Sequence, residues 1–185
     1  MEGGTMESYM NRISNTGIVP VVKILEKEDA YPLAKALLNG GIDVIEVTYR
    51  SEHATSAIQT ISEQLPDMLV GAGTVLSVEQ AKEAVEAGAK FIITPGFNTK
   101  VVQWCLDHDV EVYPGVSTAS EVEMALSMGL TQLKFFPAES SGGAKKLKDL
   151  SAPYANVHFM PTGGINTKNM HDYLSLPNVE AIGGS

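Results

Sequence analysis

Two charged residues stand inside runs that should otherwise be apolar strands. Lys134 lies in Leu133-Lys134-Phe135-Phe136-Pro137, and Glu46 lies in Val44-Ile45-Glu46-Val47-Thr48-Tyr49-Arg50. Burial disfavours the charged form of an amine and so exposes its nucleophilic lone pair. A carboxylate within reach can move protons for it. An inward lysine beside an inward carboxylate therefore reads as Schiff-base chemistry on a carbonyl substrate. The same pair also suits a structural ion pair, or a lysine whose stem is buried while its head reaches the rim. Side chains alternate along a strand, so Val44, Glu46, Thr48 and, if the extension persists, Arg50 share one face. Ile45, Val47 and Tyr49 share the other.

Two further polar elements accompany the pair. Gly71-Ala72-Gly73-Thr74 follows an apolar run and precedes a helix expected near Val78. Its small residues would let a ligand approach the backbone, and Thr74 supplies a hydroxyl; an ordinary strand-to-helix turn reads the same way. Pro161-Thr162-Gly163-Gly164-Ile165 is matched by Ile182-Gly183-Gly184-Ser185. Paired glycines free backbone amides to point at an anion, or simply make tight turns.

These residues must be positioned by a regular scaffold. Eight β-rich runs are legible, beginning near Gly17, Val44, Met68, Phe91, Val110, Leu133, Val157 and Val179. They recur about every 20 to 25 residues, the length of a strand–loop–helix–loop unit. Amphipathic stretches lie between them. One, from Ala30 to Leu38, places Leu33, Ala34, Leu37 and Leu38 on one face; others run into Gly88 and Gly129. Strand alternating with helix implies a parallel sheet with right-handed crossovers, and eight such strands close a barrel. The fold expected is α/β, a (β/α)8 TIM barrel over residues 17–185, with residues 1–16 as an N-terminal extension or helix. In such barrels the active site forms at the C-terminal ends of the strands, where Lys134 and Glu46 stand. An open doubly wound sheet would carry a Gly-rich fingerprint after its first strand, but Lys23-Ile24-Leu25-Glu26-Lys27 follows instead.

Composition narrows the function class. The chain has 185 residues, 44% of them hydrophobic, with one cysteine and a formal net charge of -9. The apolar share excludes disorder. The acidic balance without a basic cluster argues against a nucleic-acid partner. No run approaches the roughly 20 apolar residues of a membrane span, and the first residues do not read as a secretory signal. One cysteine excludes a disulfide scaffold and fits a reducing cytoplasm. His53, His108, His158 and His171 show no metal-ligand spacing, so no metal is expected.

Taken together, Gly41-Ile42-Asp43-Val44-Ile45-Glu46-Val47-Thr48-Tyr49-Arg50, Val70-Gly71-Ala72-Gly73-Thr74-Val75, Thr94-Pro95-Gly96, Pro114-Gly115-Val116-Ser117-Thr118, Lys134-Phe135-Phe136-Pro137-Ala138-Glu139 and Pro161-Thr162-Gly163-Gly164-Ile165 resemble the KDPG/KHG aldolases. The resemblance runs in unbroken order from about Gly17 to Ser185. It implies a class I aldolase that cleaves 2-keto-3-deoxy-6-phosphogluconate or 4-hydroxy-2-oxoglutarate. By the same resemblance Lys134 forms the Schiff base and Glu46 is the general acid/base. Arg50 and Thr74 bind the substrate carboxylate, and Pro95, Phe136 and Thr162 join Lys134 in lining the substrate site. Gly163, Gly164, Gly184 and Ser185 hold phosphate, and Ser141-Gly142-Gly143 would add to that hold. It also implies a small 2-keto acid substrate, no cofactor, a cytoplasmic enzyme and a homotrimer. Two departures are visible. Tyr49 stands where many members have leucine, on the face away from the site. Members also continue past the GGS turn into a final helix, whereas this sequence stops at Ser185. A barrel usually needs about 200 to 250 residues. Without that helix, apolar surface on the first and last strands should be exposed, to be covered by further chain or by a partner subunit.

Overall fold

The computed structural model describes residues 8–185, so the first seven residues of the expected N-terminal extension lie outside the described residues. Helix α1 (Tyr9–Thr16) leads into strand β1 (Ile18–Val22). The chain then runs through α2 (Ala30–Asn39), β2 (Val44–Thr48), α3 (Ala54–Gln64), β3 (Leu69–Gly73), α4 (Val78–Glu86), β4 (Phe91–Thr94), α5 (Thr99–Asp107) and β5 (Glu111–Val116). It finishes with α6 (Ala119–Ser127), β6 (Gln132–Phe135), α7 (Gly143–Ser151), β7 (His158–Pro161), α8 (Met170–Leu174) and β8 (Ile182–Gly184). All strand pairs are parallel, in the order β7-β6-β5-β4-β3-β2-β1-β8. The ring closes between β7 and β8 through two isolated parallel bridges, Phe159–Val179 and Thr162–Gly183. The expected (β/α)8 barrel is present, and no helix follows β8 within these residues.

Local chemistry sets most boundaries. Ser77 caps α4, its hydroxyl accepting from Gln80 N–H at 3.2 Å. At α6 the cap is Thr118, where Glu121 three residues on completes a reciprocal capping box. Gly41, Gly88 and Gly129 turn the chain out of α2, α4 and α6 in left-handed backbone, as expected.

Three strand ends differ from expectation, for one reason. β3 runs on through Gly71-Ala72-Gly73, and β5 through Pro114-Gly115-Val116. The eighth strand, expected over Val179–Ile182, pairs as Ile182–Gly184 instead, with Ile182, Gly183 and Gly184 opposite Ile18, Val19 and Pro20. Glycine and proline weigh against a strand by propensity. Here close packing inside the barrel outweighs propensity. A Cβ on Gly71 would lie 2.0 Å from the Phe91 ring, and one on Gly183 would lie 2.2 Å from Thr162 Oγ1.

The core has an inner and an outer layer. Inside the barrel, Val19, Val44, Leu69, Phe91, Ile93, Tyr113, Met160 and Ala181 pack together with Met10 and Ile13 of α1, which stoppers the N-terminal end. Outward residues such as Ile45, Val47, Val70, Ile92, Leu133 and Phe135 meet the helices. Every residue of β2, β3 and β4 is buried, whereas in β1 only Val19 is. The outward side of β1 is therefore partly open, as expected of the seam between first and last strands. Leu33, expected on the buried face of α2, is 37% exposed, and Leu25 is 63% exposed. Among the described residues no helix is long and apolar enough to cross a membrane.

Asp43 fastens the stopper helix to the start of β2. Its carboxylate accepts from Arg12 Nε at 2.8 Å and from Thr16 Oγ1 at 2.7 Å. Burial pushes this carboxyl up, but the hydrogen bonds from Thr16 and Arg12 and the Arg12 charge outweigh it and hold the group below its ordinary value. A depressed carboxyl contributes stability above its unfolded value, near pH 4, and that contribution is lost as pH falls through the folded value. Asp43→Asn is expected to lower stability at pH 7 and to flatten the decline on the acid side. Urea denaturation at pH 7 and at pH 3 checks both.

Candidate active site

The apolar stopper ends at the level of β2 residue 46, and polar side chains take over above it. Register places Val21, Glu46 and Gly71 side by side, and Gly115, Lys134 and Met160 side by side across the barrel. Glu46 is fully buried and Lys134 is 4% exposed. Lys134 Nζ lies 3.4 Å from Glu46 Oε1 and donates to it. The amine also sits 5.1 Å from the centre of the Phe136 ring, so one of its sides faces a π surface rather than water. Glu46 Oε2 and Thr162 Oγ1 are both buried with no hydrogen-bond partner in the chain. Orphan buried oxygens are rare in folded proteins, and they mark places where a ligand atom or water completes the pairing.

Gly73 explains how the carboxylate reaches the amine. A Cβ at that position would lie 1.9 Å from Glu46 Oε1 and 2.5 Å from Cδ. The glycines of Gly71-Ala72-Gly73 therefore give room to Phe91 and Glu46, and not to a ligand as the sequence reading had it. Thr74, the next residue, is half-buried and held at φ 52°, the left-handed region that a β-branched residue rarely adopts. Strain of this kind persists where the surroundings over-determine it, and it concentrates at functional sites.

The cleft above the pair holds about 240 Å³. It is lined by Arg50, Thr74, Pro95, Lys134, Phe136, Thr162, Gly163, Gly164, Gly184 and Ser185, with Val21, Ile165 and Gly183. The structure thus brings Arg50, Thr74, Pro95, Lys134, Phe136, Thr162 and the two glycine turns into one place, with Glu46 directly beneath through its contact with Lys134. Arg50 is exposed at the rim, and its Nε donates to Thr48 Oγ1 at 3.0 Å. Thr48 donates in turn to the Val22 carbonyl at 2.7 Å. This chain steadies the guanidinium, and Thr48 is its buried link, a role that alternation on β2 suggested only as a shared face. Gly163 and Gly164 adopt left-handed backbone at φ 107° and 78°. Val21 and Ile165 were missed by the sequence reading; Val21 was findable as the inward neighbour of Glu46 in register.

Several other residues lie away from the cleft. Lys23 is exposed and lies with Leu25, Asp29 and Leu33 on the outer side. Ser141-Gly142-Gly143, at the start of α7, do not line the cleft. Tyr49 faces outward as expected, its hydroxyl 2.9 Å from Thr55 Oγ1. Cys105 is buried on α5, and burial pushes its thiol up to about 12. Among the described residues no three His, Cys, Asp or Glu side chains gather as a metal site.

Comparison with known proteins gives a consistent result. The family model for KDPG and KHG aldolase matches residues 9–185. The chain is 47% identical to the 2-dehydro-3-deoxy-phosphogluconate aldolase of Treponema pallidum, over 97% of this chain and 86% of that one. It is 45% identical to the KHG/KDPG aldolase of Escherichia coli K12, over 94% and 82% respectively. Among solved structures, the KDPG aldolase of Legionella pneumophila superposes with a TM-score of 0.93 at 42% identity, over 97% of this chain and 87% of that one. In that crystal structure pyruvate is captured as a covalent carbinolamine intermediate.

The Gly73 contact makes a sharp prediction. Gly73→Ala must displace the Glu46 carboxylate from Lys134. On the roles the resemblance implies, Lys134 as Schiff-base lysine and Glu46 as general acid/base, the rate of pyruvate trapping on Lys134 by borohydride is expected to fall roughly 100-fold, the lower range for loss of a general acid/base. Intact-protein mass spectrometry over a time course reads the rate, and circular dichroism checks that the fold is retained.

Proposed function

The chain belongs to the KDPG and KHG aldolase family, and on that premise we propose the following reading of its chemistry. It is a class I aldolase, an aldehyde-lyase. It cleaves 2-keto-3-deoxy-6-phosphogluconate to pyruvate and glyceraldehyde 3-phosphate, or 4-hydroxy-2-oxoglutarate to pyruvate and glyoxylate, or both. The observation that carries this reading is the 3.4 Å contact between the buried Lys134 amine and the buried Glu46 carboxylate at the mouth of the barrel.

The steps follow from that geometry. Neutral Lys134 attacks the ketone carbon of the 2-keto acid. Glu46 delivers protons to the leaving oxygen, water departs and an iminium forms. The iminium is an electron sink, so the bond between carbons three and four breaks when the C4 hydroxyl gives up its proton. Glu46 takes that proton directly or through a water, and the aldehyde product leaves. The remaining enamine is protonated at carbon three, and hydrolysis returns pyruvate and free Lys134. Arg50 holds the substrate carboxylate with its forked donors, and Thr74 adds a hydroxyl. Pro95, Phe136 and Thr162 form the walls. A phosphorylated substrate places its anion against Gly163, Gly164, Gly184 and Ser185, where backbone amides replace a charged side chain. The surface as a whole is negative, so attraction of an anionic substrate is local to Arg50, Lys134 and these amides.

The acting form we propose is a cytoplasmic homotrimer of barrels, each made of residues 17–185 with the N-terminal segment as an extension.

Two measurements test the chemistry. Incubation with pyruvate and borohydride is expected to add one reduced pyruvate to Lys134, located by peptide mass spectrometry; Lys134→Met is expected to take no adduct and cleave nothing. An adduct at another lysine, or none, refutes the assignment. Arg50→Lys keeps the charge but loses the fork. It is expected to raise KM about tenfold with little change in kcat, the loss of one charge-assisted hydrogen bond, measured by steady-state pyruvate release.

A further inference from the structure

The Gly163-Gly164 turn does not hold its shape alone. Ala138 N–H donates to the Thr162 carbonyl at 2.8 Å, and Glu139 N–H donates to the Gly163 carbonyl at 3.1 Å. These two bonds lash the segment after β6 to the turn after β7. The Glu139 side chain lies directly beneath Gly164, where an added Cβ would meet its Cγ at 2.7 Å and its Cβ at 2.9 Å. Its carboxylate then accepts a hydrogen bond from the Tyr173 hydroxyl on α8. Tyr173 is 1% exposed, and both its hydroxyl and Glu139 Oε1 stand 3.3 Å from where a Cβ on Gly143 would be. From the other side Asn169 Nδ2 donates to the Gly164 carbonyl at 3.0 Å. Glu139 ends the same run that carries Lys134, and none of the steps above uses it.

We propose that Glu139 and Tyr173 are positioning residues that set the preference for a phosphorylated substrate, by bracing the Gly163-Gly164 turn in its anion-facing form. Neither touches the reacting carbons, and neither lines the cleft. The brace locks the Glu139 side chain through its carboxylate, and the locked side chain fixes the height of Gly164. A turn whose amides are to meet three phosphate oxygens tolerates little displacement, whereas 4-hydroxy-2-oxoglutarate carries no phosphate to place there and so does not call on the turn. The proposal rests on the aldolase reading given above.

The test compares two substrates and one inhibitor. Tyr173→Phe removes only the hydroxyl. It is expected to raise KM for 2-keto-3-deoxy-6-phosphogluconate, and the inhibition constant of inorganic phosphate, by about 5- to 10-fold, the effect of one lost hydrogen bond. Its kcat/KM on 4-hydroxy-2-oxoglutarate is expected to stay within about twofold, below the effect of one hydrogen bond. Glu139→Ala should match it, and Glu139→Gln, which keeps an accepting oxygen, should return most of the preference. Equal losses on both substrates, or no change in either KM, overturn the brace. So does a wild-type enzyme that neither accepts the phosphorylated substrate nor is inhibited by phosphate. Borohydride trapping of pyruvate on Lys134 is run on each protein. A wild type that traps pyruvate while the variants show no substrate-selective change refutes the brace and leaves the aldolase reading standing; a wild type that traps none refutes that reading itself.

Discussion

A lysine and a glutamate in contact inside a barrel are the constraint from which the rest follows. Moving two such groups out of water is costly, and their attraction offsets this only when geometry and further hydrogen bonds are good. Here the geometry is deliberately incomplete. Lys134 Nζ has one carboxylate oxygen at 3.4 Å, and the other oxygen, Glu46 Oε2, is left without a partner. As a stability device this is a poor arrangement. On the reading proposed for the site it is a poised one, with an oxygen left open for a substrate atom or a water to complete. The apolar layer below, closed by Met10 and Ile13 of α1, keeps bulk water away from the pair on its lower side.

That constraint explains the glycines. Inward positions of a barrel are normally filled by side chains in layers. At Gly71, Gly73, Gly115 and Gly183 the inward position is empty, and in each case a neighbour takes the room: Phe91, Glu46, the Pro95 backbone and Thr162. Two of these neighbours carry the polar atoms of the site, and a third shapes its wall. A motif that looks like ligand-binding backbone in one dimension is, in three, the vacant half of a close contact. The turn after β7 repeats the pattern, with Gly164 against the Glu139 side chain.

How much was legible in the linear chain differs by residue. Lys134 and Glu46 stood out because a charge in a β-rich run is costly unless it has a purpose; alternation put Glu46 on the face of Thr48 and Arg50, and the barrel decided that this face is the inner one. The barrel was legible from eight evenly spaced runs with helical periods between. The ends of β3, β5 and β8 were not, because propensity counts Gly and Pro against a strand without knowing that a neighbour fills the space. Ser141-Gly142-Gly143 looked like an anion cradle by composition, yet it lies away from the cleft, beside the Glu139–Tyr173 pair. Tyr173 itself carried no signal, since a tyrosine on a short helix reads as core until its hydroxyl is placed.

The amino-acid sequence by itself determined the order of strands and helices, the oddity of Lys134 and Glu46 in β-rich runs, and the family resemblance. All of these are properties of local pattern, repeated every two or every 3.6 residues or carried by contiguous motifs. Only the tertiary structure decided that one oxygen of Glu46 meets the amine and the other is left without a partner, why residue 73 must lack a side chain, and what stands behind the Gly163-Gly164 turn. Those facts join positions far apart in the chain, such as 46 with 134 and 139 with 173. Such distances are set by barrel closure and stagger, which no local pattern encodes.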